Sequence, residues 1–280
     1  MNLETKTQKL RQVLRDMESV VVGYSGGIDS TLVMKVAHEE LGDKALAVIA
    51  DSESLLRSEL DEAVELAKLT GVNFKVVRTS ELSNPNYSSN PTNRCFFCKD
   101  ELFTHLTSLA HEEGRKSVAD GANADDTGDH RPGLAAAADH EVRHPLQEAG
   151  FTKEDVRSLA KQLCLPNWDK PALACLASRF PYGTEITLEK LAMVGAAEEF
   201  LKAKGFRGYR VRHHEAGSDF IARIELAEDD FPRFNDADLR SEIDKALRES
   251  GYHFVALDLQ GYRSGRLNDA LGRQVVQIRR

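Results

Sequence analysis

The sequence predicts an α/β protein, a parallel sheet wound with helices over residues 1–183, followed by a smaller α+β domain over 184–280. Three observations predict it. Short apolar runs alternate with amphipathic segments over residues 4–164, the order of strand–helix–strand crossovers. The runs are apolar without alternation, as in Val20-Val21-Val22, which suits strands covered on both faces. A Ser/Gly turn follows that run directly, on the edge where such sheets bind ligands.

The elements follow in order. Residues 4–16 read as a helix with Leu10, Val13 and Leu14 on one side, and Val20–Tyr24 as a buried strand. A helix over 29–41 turns Leu32, Val33, Val36 and Leu41 inward. Strand 44–50, helix 55–69 and strand 73–78 continue the alternation. Residues 79–94, rich in Ser, Asn and Pro, read as a long loop. Helix 98–113, strand 117–120 and helix 152–164 complete the first domain, with Cys164 expected as a buried apolar residue of that last helix. Beyond residue 183 come helix 187–204, strands 207–213 and 220–225, helix 236–249, and strands 252–259 and 272–278. That order suits a small antiparallel α+β domain.

With 280 residues, 41% hydrophobic and 29% charged, the chain has the composition of a globular protein. No apolar run approaches a membrane span and the N-terminus lacks a secretory segment, so a cytoplasmic location is expected. A net charge of −8 argues against broad nucleic-acid binding, which needs clustered positive charge. Four cysteines are too few and too scattered for a secreted disulfide framework and point to a metal or to reactive thiols.

Chemistry concentrates in four places. Ser25-Gly-Gly-Ile-Asp-Ser30 puts backbone N–H groups and two hydroxyls at a helix N-terminus, a ready anion site. Its spacing is neither Walker A nor the dinucleotide fingerprint; it matches the pyrophosphate loop of enzymes that split ATP between the α and β phosphates. Ser25, Gly26, Gly27, Asp29 and Ser30 are therefore expected nucleotide ligands, Asp29 also catalytic, with Ser52 after the second strand as a further contact. The loop Asp120–Gly133 adds Gly121, Asn123, Asp125 and Arg131 toward the nucleotide, and Asp126 and Asp129 as Mg²⁺ ligands. Cys95-x-x-Cys98 opens a helix, a spacing that suits a metal or a redox pair. Cys175 lies in a proline-bracketed loop four residues before Arg179. On the strand Arg207–His213, Arg210 and Arg212 share a face and could clamp one phosphate.

Together, Ser25–Ser30, the Gly-Ala-Asn-Ala-Asp-Asp-x-x-Asp-x-Arg-Pro-Gly stretch and Ala-Cys-Leu-Ala-Ser-Arg-Phe-Pro-Tyr-Gly resemble the LarE family over nearly the whole chain. The resemblance implies a Rossmann-like domain of the PP-loop ATPase type over 1–183, carrying the cysteines, and a substrate and oligomerisation domain over 184–280. It implies an ATP- and Mg²⁺-dependent sulfur transferase that adenylates a carboxylate of a pyridinium-biscarboxylate mononucleotide and converts it to a thiocarboxylate. The product belongs to the nickel-pincer nucleotide of lactate racemase. Cys175 aligns with the cysteine whose sulfur is donated, leaving dehydroalanine. With Cys95 and Cys98 present, the chain resembles the three-cysteine branch, in which Cys95, Cys98 and Cys175 hold a [4Fe–4S] cluster and sulfur delivery is catalytic. Zinc on the same thiols, with His105, His130 or His144, is the competing metal. The resemblance also places Arg179, Glu198, Arg210 and Arg212 at the substrate and implies a homo-oligomer and a sulfide donor, with no nucleic-acid or membrane partner. Two other users of such a loop are a tRNA thiolase, which needs a basic face, and an amidating ligase, which has no use for three cysteines. A regulator that holds ATP without turnover is a third possibility.

Overall fold

A computed structural model describes residues 1–128, 132–171 and 174–263. The chain divides into two compact units, Met1–Leu173 and Ala174–Arg280. The expected boundary lay at 183/184. It falls earlier because the 3₁₀ turn Leu176–Arg179 is tied by Arg179 to Glu198, so the Cys175 segment belongs to the second unit.

In the first unit the order is α1 (Leu3–Asp16), β1 (Val20–Gly23), α2 (Ile28–Leu41), β2 (Ala45–Asp51), α3 (Arg57–Thr70) and β3 (Phe74–Arg78). Then follow α4 (Pro85–Ser88), α5 (Arg94–Glu112), β4 (Ser117–Ala119), α6 (Pro132–Asp139), α7 (Pro145–Ala149) and α8 (Lys153–Gln162). The four strands form a parallel sheet of order β3-β2-β1-β4, as the alternation required. Side chains of β1 alternate between two cores. Val20 and Val22 belong to the core that holds Leu10, Leu14, Leu32, Val36 and Leu60, whereas Val21 belongs to the one that holds Leu46, Val48, Phe103, Leu106 and Ala136. Both faces are dry, which explains the unbroken valine run.

Local rules set the helix ends. Asn2 caps α1 by accepting the Thr5 N–H at 2.9 Å, and Thr152 with Asp155 forms a reciprocal capping box at α8. The segment expected as loop 79–94 instead holds a 3₁₀ turn at Glu81–Ser83 and the short α4, where Asn84 caps and Pro85 takes the first helical position. Helix α5 begins at Arg94, so both residues of the Cys95/Cys98 pair lie in its first turns.

Cys164 is not the buried helical residue expected. Helix α8 ends at Gln162, and Cys164 is exposed with φ +55°. The Cys164 N–H donates to Lys161 O and the Leu165 N–H to Ala160 O, so Cys164 fills the left-handed position of a helix-ending motif while Leu163 and Leu165 take the apolar contacts.

The second unit contains α9 (Leu188–Ala203), β5 (Tyr209–Ala216), β6 (Asp219–Leu226), α10 (Ala237–Glu249) and β7 (Phe254–Leu257). The sheet runs β5-β6-β7 and is mixed rather than antiparallel: β5 and β6 form a hairpin, but β6 and β7 are parallel because α10 carries the chain back across. The expected strand 272–278 lies outside the described residues.

At the centre of this unit His213 is fully buried among the rings of Phe180, Phe220 and Tyr252, with centroids 5.0, 5.1 and 5.6 Å away. Burial pushes its pKa down to about 4, against the Glu215 carboxylate 3.7 Å away; Lys190 and His214 add to the depression. The unfolded chain therefore takes up a proton near pH 6.5 that the folded unit refuses until about pH 4. Stability is full above pH 6.5 and falls as pH drops through that window, by on the order of 3 kcal/mol. Thermal melts from pH 7 to pH 4 should show this loss, and His213→Phe should flatten it; an equal acid loss in the variant would remove His213 as the cause.

Candidate active site

The loop after β1 closes on itself before the helix begins. Ser30 Oγ accepts the Ser25 N–H at 3.1 Å and lies 3.2 Å from Ser25 Oγ, while Gly27 O accepts the Thr31 N–H at 3.0 Å and the Thr31 hydroxyl at 2.8 Å. No side chain caps α2, so its first turn is open to an anion. Gly26 has φ +70°, and a Cβ there would stand 2.8 Å from Ala63 Cβ. Gly121 is needed for close approach: its Cβ would meet the Ser30 amide nitrogen at 2.7 Å, so the loop after β4 rests directly on the Ser/Gly turn.

That loop supplies the polar wall. Asn123 donates its amide to Asp29 Oδ1 at 3.2 Å, accepts the Asp125 N–H at 3.0 Å, and gives its own N–H to Asp126 Oδ2 at 2.9 Å. Asp29, Asn123, Asp125 and Asp126 thus form one hydrogen-bonded group beside the turn. Asp129 and Arg131 lie outside the described residues.

Two members of the site were missed by the sequence reading. Lys153, first residue of α8, ion-pairs with Asp29 Oδ2 and donates its N–H to Asp125 Oδ2 at 2.8 Å. Asn167 donates to Gly26 O at 3.1 Å and to Thr31 Oγ1 at 3.0 Å, clamping the turn from behind. Neither stands near the turn in sequence; only the capping box Thr152-x-x-Asp155, which marks a helix start at Lys153, was visible.

Asp120, at the carboxyl end of β4, accepts from His144 Nδ1 at 2.7 Å. Burial pushes the Asp120 carboxyl up, but the His144 hydrogen bond and the charges of Lys99 and His144 outweigh it and hold it below its ordinary value. The same hydrogen bond raises His144 against its burial. Ser52 is engaged elsewhere: its hydroxyl meets Glu81 Oε2 at 3.1 Å and Ser54 Oγ at 3.0 Å. Glu81 is buried, which raises its pKa, and its Oε1 lies 3.9 Å from Cys98 Sγ. Cys95 and Cys98 stand three residues apart on α5, Cys95 exposed and Cys98 partly so. Among the described residues no three His, Cys, Asp or Glu gather as a metal-holding group. Of the histidines weighed for zinc, His144 is bound to Asp120, His105 lies 3.9 Å from Glu101, and His130 is outside the described residues.

The second unit holds its own polar centre. Arg179 Nε and Nη2 pair with both oxygens of Glu198 at 2.8 and 2.7 Å; its Nη1 donates to Ala174 O, Cys175 O and Ser178 Oγ at 2.7, 3.0 and 2.8 Å. Arg179 and Glu198 are 3% and 1% exposed, so this pair fixes the Cys175 turn from inside. Arg212 binds Glu225 Oε2 through Nε and Nη2 at 3.0 and 2.8 Å and donates to Ser178 O at 2.8 Å. Arg210 differs. It donates to Tyr209 O at 2.7 Å and to the Tyr262 hydroxyl at 3.4 Å, with its guanidinium 4.9 Å from the Tyr262 ring. Among the described residues it has no carboxylate partner, and burial beside Arg179 lowers its pKa.

A family model described as NAD synthase matches residues 3–92, the strands and helices around the Ser/Gly turn. The chain is 45% identical over 269 residues to an uncharacterized protein of Synechocystis sp., covering 96% of this chain and 99% of that one. It is 42% identical over 273 residues, 96% of each chain, to the pyridinium-3,5-bisthiocarboxylic acid mononucleotide synthase of Lactiplantibacillus plantarum. The chain belongs to the LarE family. It is an enzyme of the ATP-using PP-loop class, and its parallel sheet is the Rossmann-like sheet of that class. One component of the glutamine-hydrolyzing GMP synthase of Methanococcus maripaludis is 27% identical over 217 residues, 68% of this chain and 65% of that protein. LarE and the amidating ligases thus share the loop, while similarity over the full length lies with LarE. No helix among the described residues is long and apolar enough to cross a membrane.

Proposed function

We propose that this LarE-family enzyme is an ATP-dependent sulfur transferase that adenylates a carboxylate of a pyridinium-biscarboxylate mononucleotide and converts it to a thiocarboxylate, in the making of the nickel-pincer nucleotide of lactate racemase. A carboxylate oxygen of the substrate attacks the α phosphorus of ATP, the bond to pyrophosphate breaks, and an acyl-adenylate forms. A sulfur nucleophile then adds to the acyl carbon and AMP departs. The uncapped first turn of α2 with the Ser25 and Ser30 hydroxyls would take the pyrophosphate. Asp29 and Asp126, together with phosphate oxygens of ATP, would hold Mg²⁺, which neutralises phosphate charge when bound. The second unit would serve substrate binding and oligomer assembly, and the protein is expected to work in the cytoplasm with a separate sulfide donor.

The observation that carries this reading is the Cys175 turn. Its backbone is pinned by the buried Arg179–Glu198 pair, whereas its thiol has no hydrogen bond among the described residues and is partly exposed. A turn held so firmly around a thiol that holds nothing suits a sulfur that must act on a ligand. Arg210, a guanidinium with no carboxylate partner among the described residues, is the best candidate for the substrate phosphate; Arg212 would steady it through Ser178 and Glu225. On this geometry Arg179 and Glu198 act on the substrate through the turn they hold.

Cys95 and Cys98, one helical turn apart on α5, fit two thiolates on one metal group; with Cys175 they would hold a [4Fe–4S] cluster. Held by these three thiolates, such a cluster would supply the transferable sulfide. The second reading, Cys175 as consumed donor, is favoured by the free, partly exposed state of that thiol on a turn pinned through its backbone. Iron and acid-labile sulfide in protein purified without oxygen decide between them. About four irons per chain, lost in Cys95→Ala, are expected for the cluster. A folded, reconstituted protein without iron whose Cys175 loses its sulfur after one turnover would establish consumption instead; bound zinc would make Cys95 and Cys98 structural.

A further inference from the structure

Asp29 already has both its oxygens engaged: Asn123 donates to Oδ1 and Lys153 pairs with Oδ2. In this arrangement the charge of the carboxylate is met by the ammonium, which competes with a divalent cation for Oδ2. Lys153 is held at its root, since its N–H is bound to Asp125 Oδ2 at 2.8 Å at the capped start of α8. Its ammonium sits at the end of a flexible stem with about three donor directions and can change partners without moving the helix. Among the described residues it is the cation that the structure places on the carboxylate of the Ser/Gly turn.

The geometry points to Lys153 as an exchangeable ligand: it covers Asp29 while the turn is empty and transfers to the pyrophosphate group of ATP when the turn fills, releasing Asp29 to a divalent cation. The inference rests on the nucleotide reading of the turn. Coulomb attraction decides the exchange, because pyrophosphate carries several negative charges against the single charge of Asp29. Once Lys153 leaves, Asp29 keeps only the neutral amide of Asn123 and becomes a strong oxygen donor for Mg²⁺. The ammonium and the metal then lie on the departing pyrophosphate and on Asp29 respectively, and neither charge is left alone in the site. Without nucleotide, Lys153 keeps the metal out.

Three full-length variants test this by calorimetric titration with inorganic pyrophosphate without metal, and separately with Mg²⁺ alone, each after its fold is verified by a thermal melt. Lys153→Met is expected to weaken pyrophosphate about tenfold or more and to strengthen Mg²⁺ several-fold. Lys153→Arg should restore most of the pyrophosphate affinity. Asp29→Asn, which leaves the lysine without its partner, should bind pyrophosphate more tightly than the wild type. A purely architectural role for the ion pair weakens pyrophosphate binding in Asp29→Asn as well as in Lys153→Met, and weaker binding in Asp29→Asn would overturn the exchange. So would a folded Lys153→Met with wild-type affinities. Wild-type protein that binds neither ATP nor pyrophosphate would instead overturn the nucleotide reading itself.

Discussion

Cys175→Ala is expected to release pyrophosphate from ATP and the mononucleotide at the wild-type rate and to form no thiocarboxylate. In the proposed function the two half-reactions use different parts of the molecule. Adenylation needs the Ser/Gly turn, its carboxylates and the substrate, all unaffected by loss of one thiol. Sulfur delivery would need Cys175 whether the thiol ligates a cluster or is itself consumed. The substitution removes one partly exposed side chain with no hydrogen bond among the described residues, and Arg179 grips the turn through backbone carbonyls that alanine keeps. Folding should therefore survive within a few tenths of a kcal/mol, as for ordinary surface changes. Coupled pyrophosphate release and mass spectrometry of the mononucleotide read the two steps separately. Thiocarboxylate at the normal rate would remove Cys175 from the chemistry. Loss of both steps would place it in adenylation.

Asp29→Ala is expected to lower pyrophosphate release by about 100-fold or more, the usual scale for losing a group that organises transition-state charge. Asp29 is the first-turn acid of α2 and joins Asn123 of the loop after β4 to Lys153 of α8. Its loss would remove the proposed metal donor and also the tie between three segments of the site. The buried face of α2, Leu32, Val33, Met34 and Val36, is untouched, so the variant should stay folded. Isotope exchange between labelled pyrophosphate and ATP in the presence of the mononucleotide measures the step. Exchange within a factor of about three of wild type would exclude Asp29 from catalysis, since a removed catalytic group costs far more. The exchange proposed for Lys153 sharpens the contrast: Asp29→Asn should bind metal-free pyrophosphate better while catalysing worse, a pair of effects that simple damage does not produce.

The elements of the first unit were legible because their hydrophobic periods are strong and both faces of the sheet are covered. Val20–Val22 could hardly be read as anything but a buried strand. The misreadings are where backbone chemistry overrides pattern. Cys164 sits between two leucines that are partly or fully buried, yet the helix ends just before it and the chain turns left-handed. Asn84-Pro85 and Pro145…Gly150 carry start and stop signals of short helices that periodicity is too long a ruler to detect. In the second unit the parallel β6/β7 pair follows from a crossover helix whose effect on strand direction depends on where β7 docks.

The sequence by itself determined the Ser/Gly turn, the family, and the residue types around that turn, because those depend on short runs whose chemistry is local. Only the tertiary structure decided what each side chain is engaged with. It joined Lys153 and Asn167 to a turn more than 100 residues away, committed Ser52 to buried Glu81, and paired Arg179 with Glu198 and Arg212 with Glu225. Of these three arginines, Arg210 is the one without a carboxylate partner among the described residues. Two arginines two apart on a strand look alike in sequence; which one has its charge met depends on carboxylates brought alongside by other elements. A buried charge must be met by something, and the fold alone says by what.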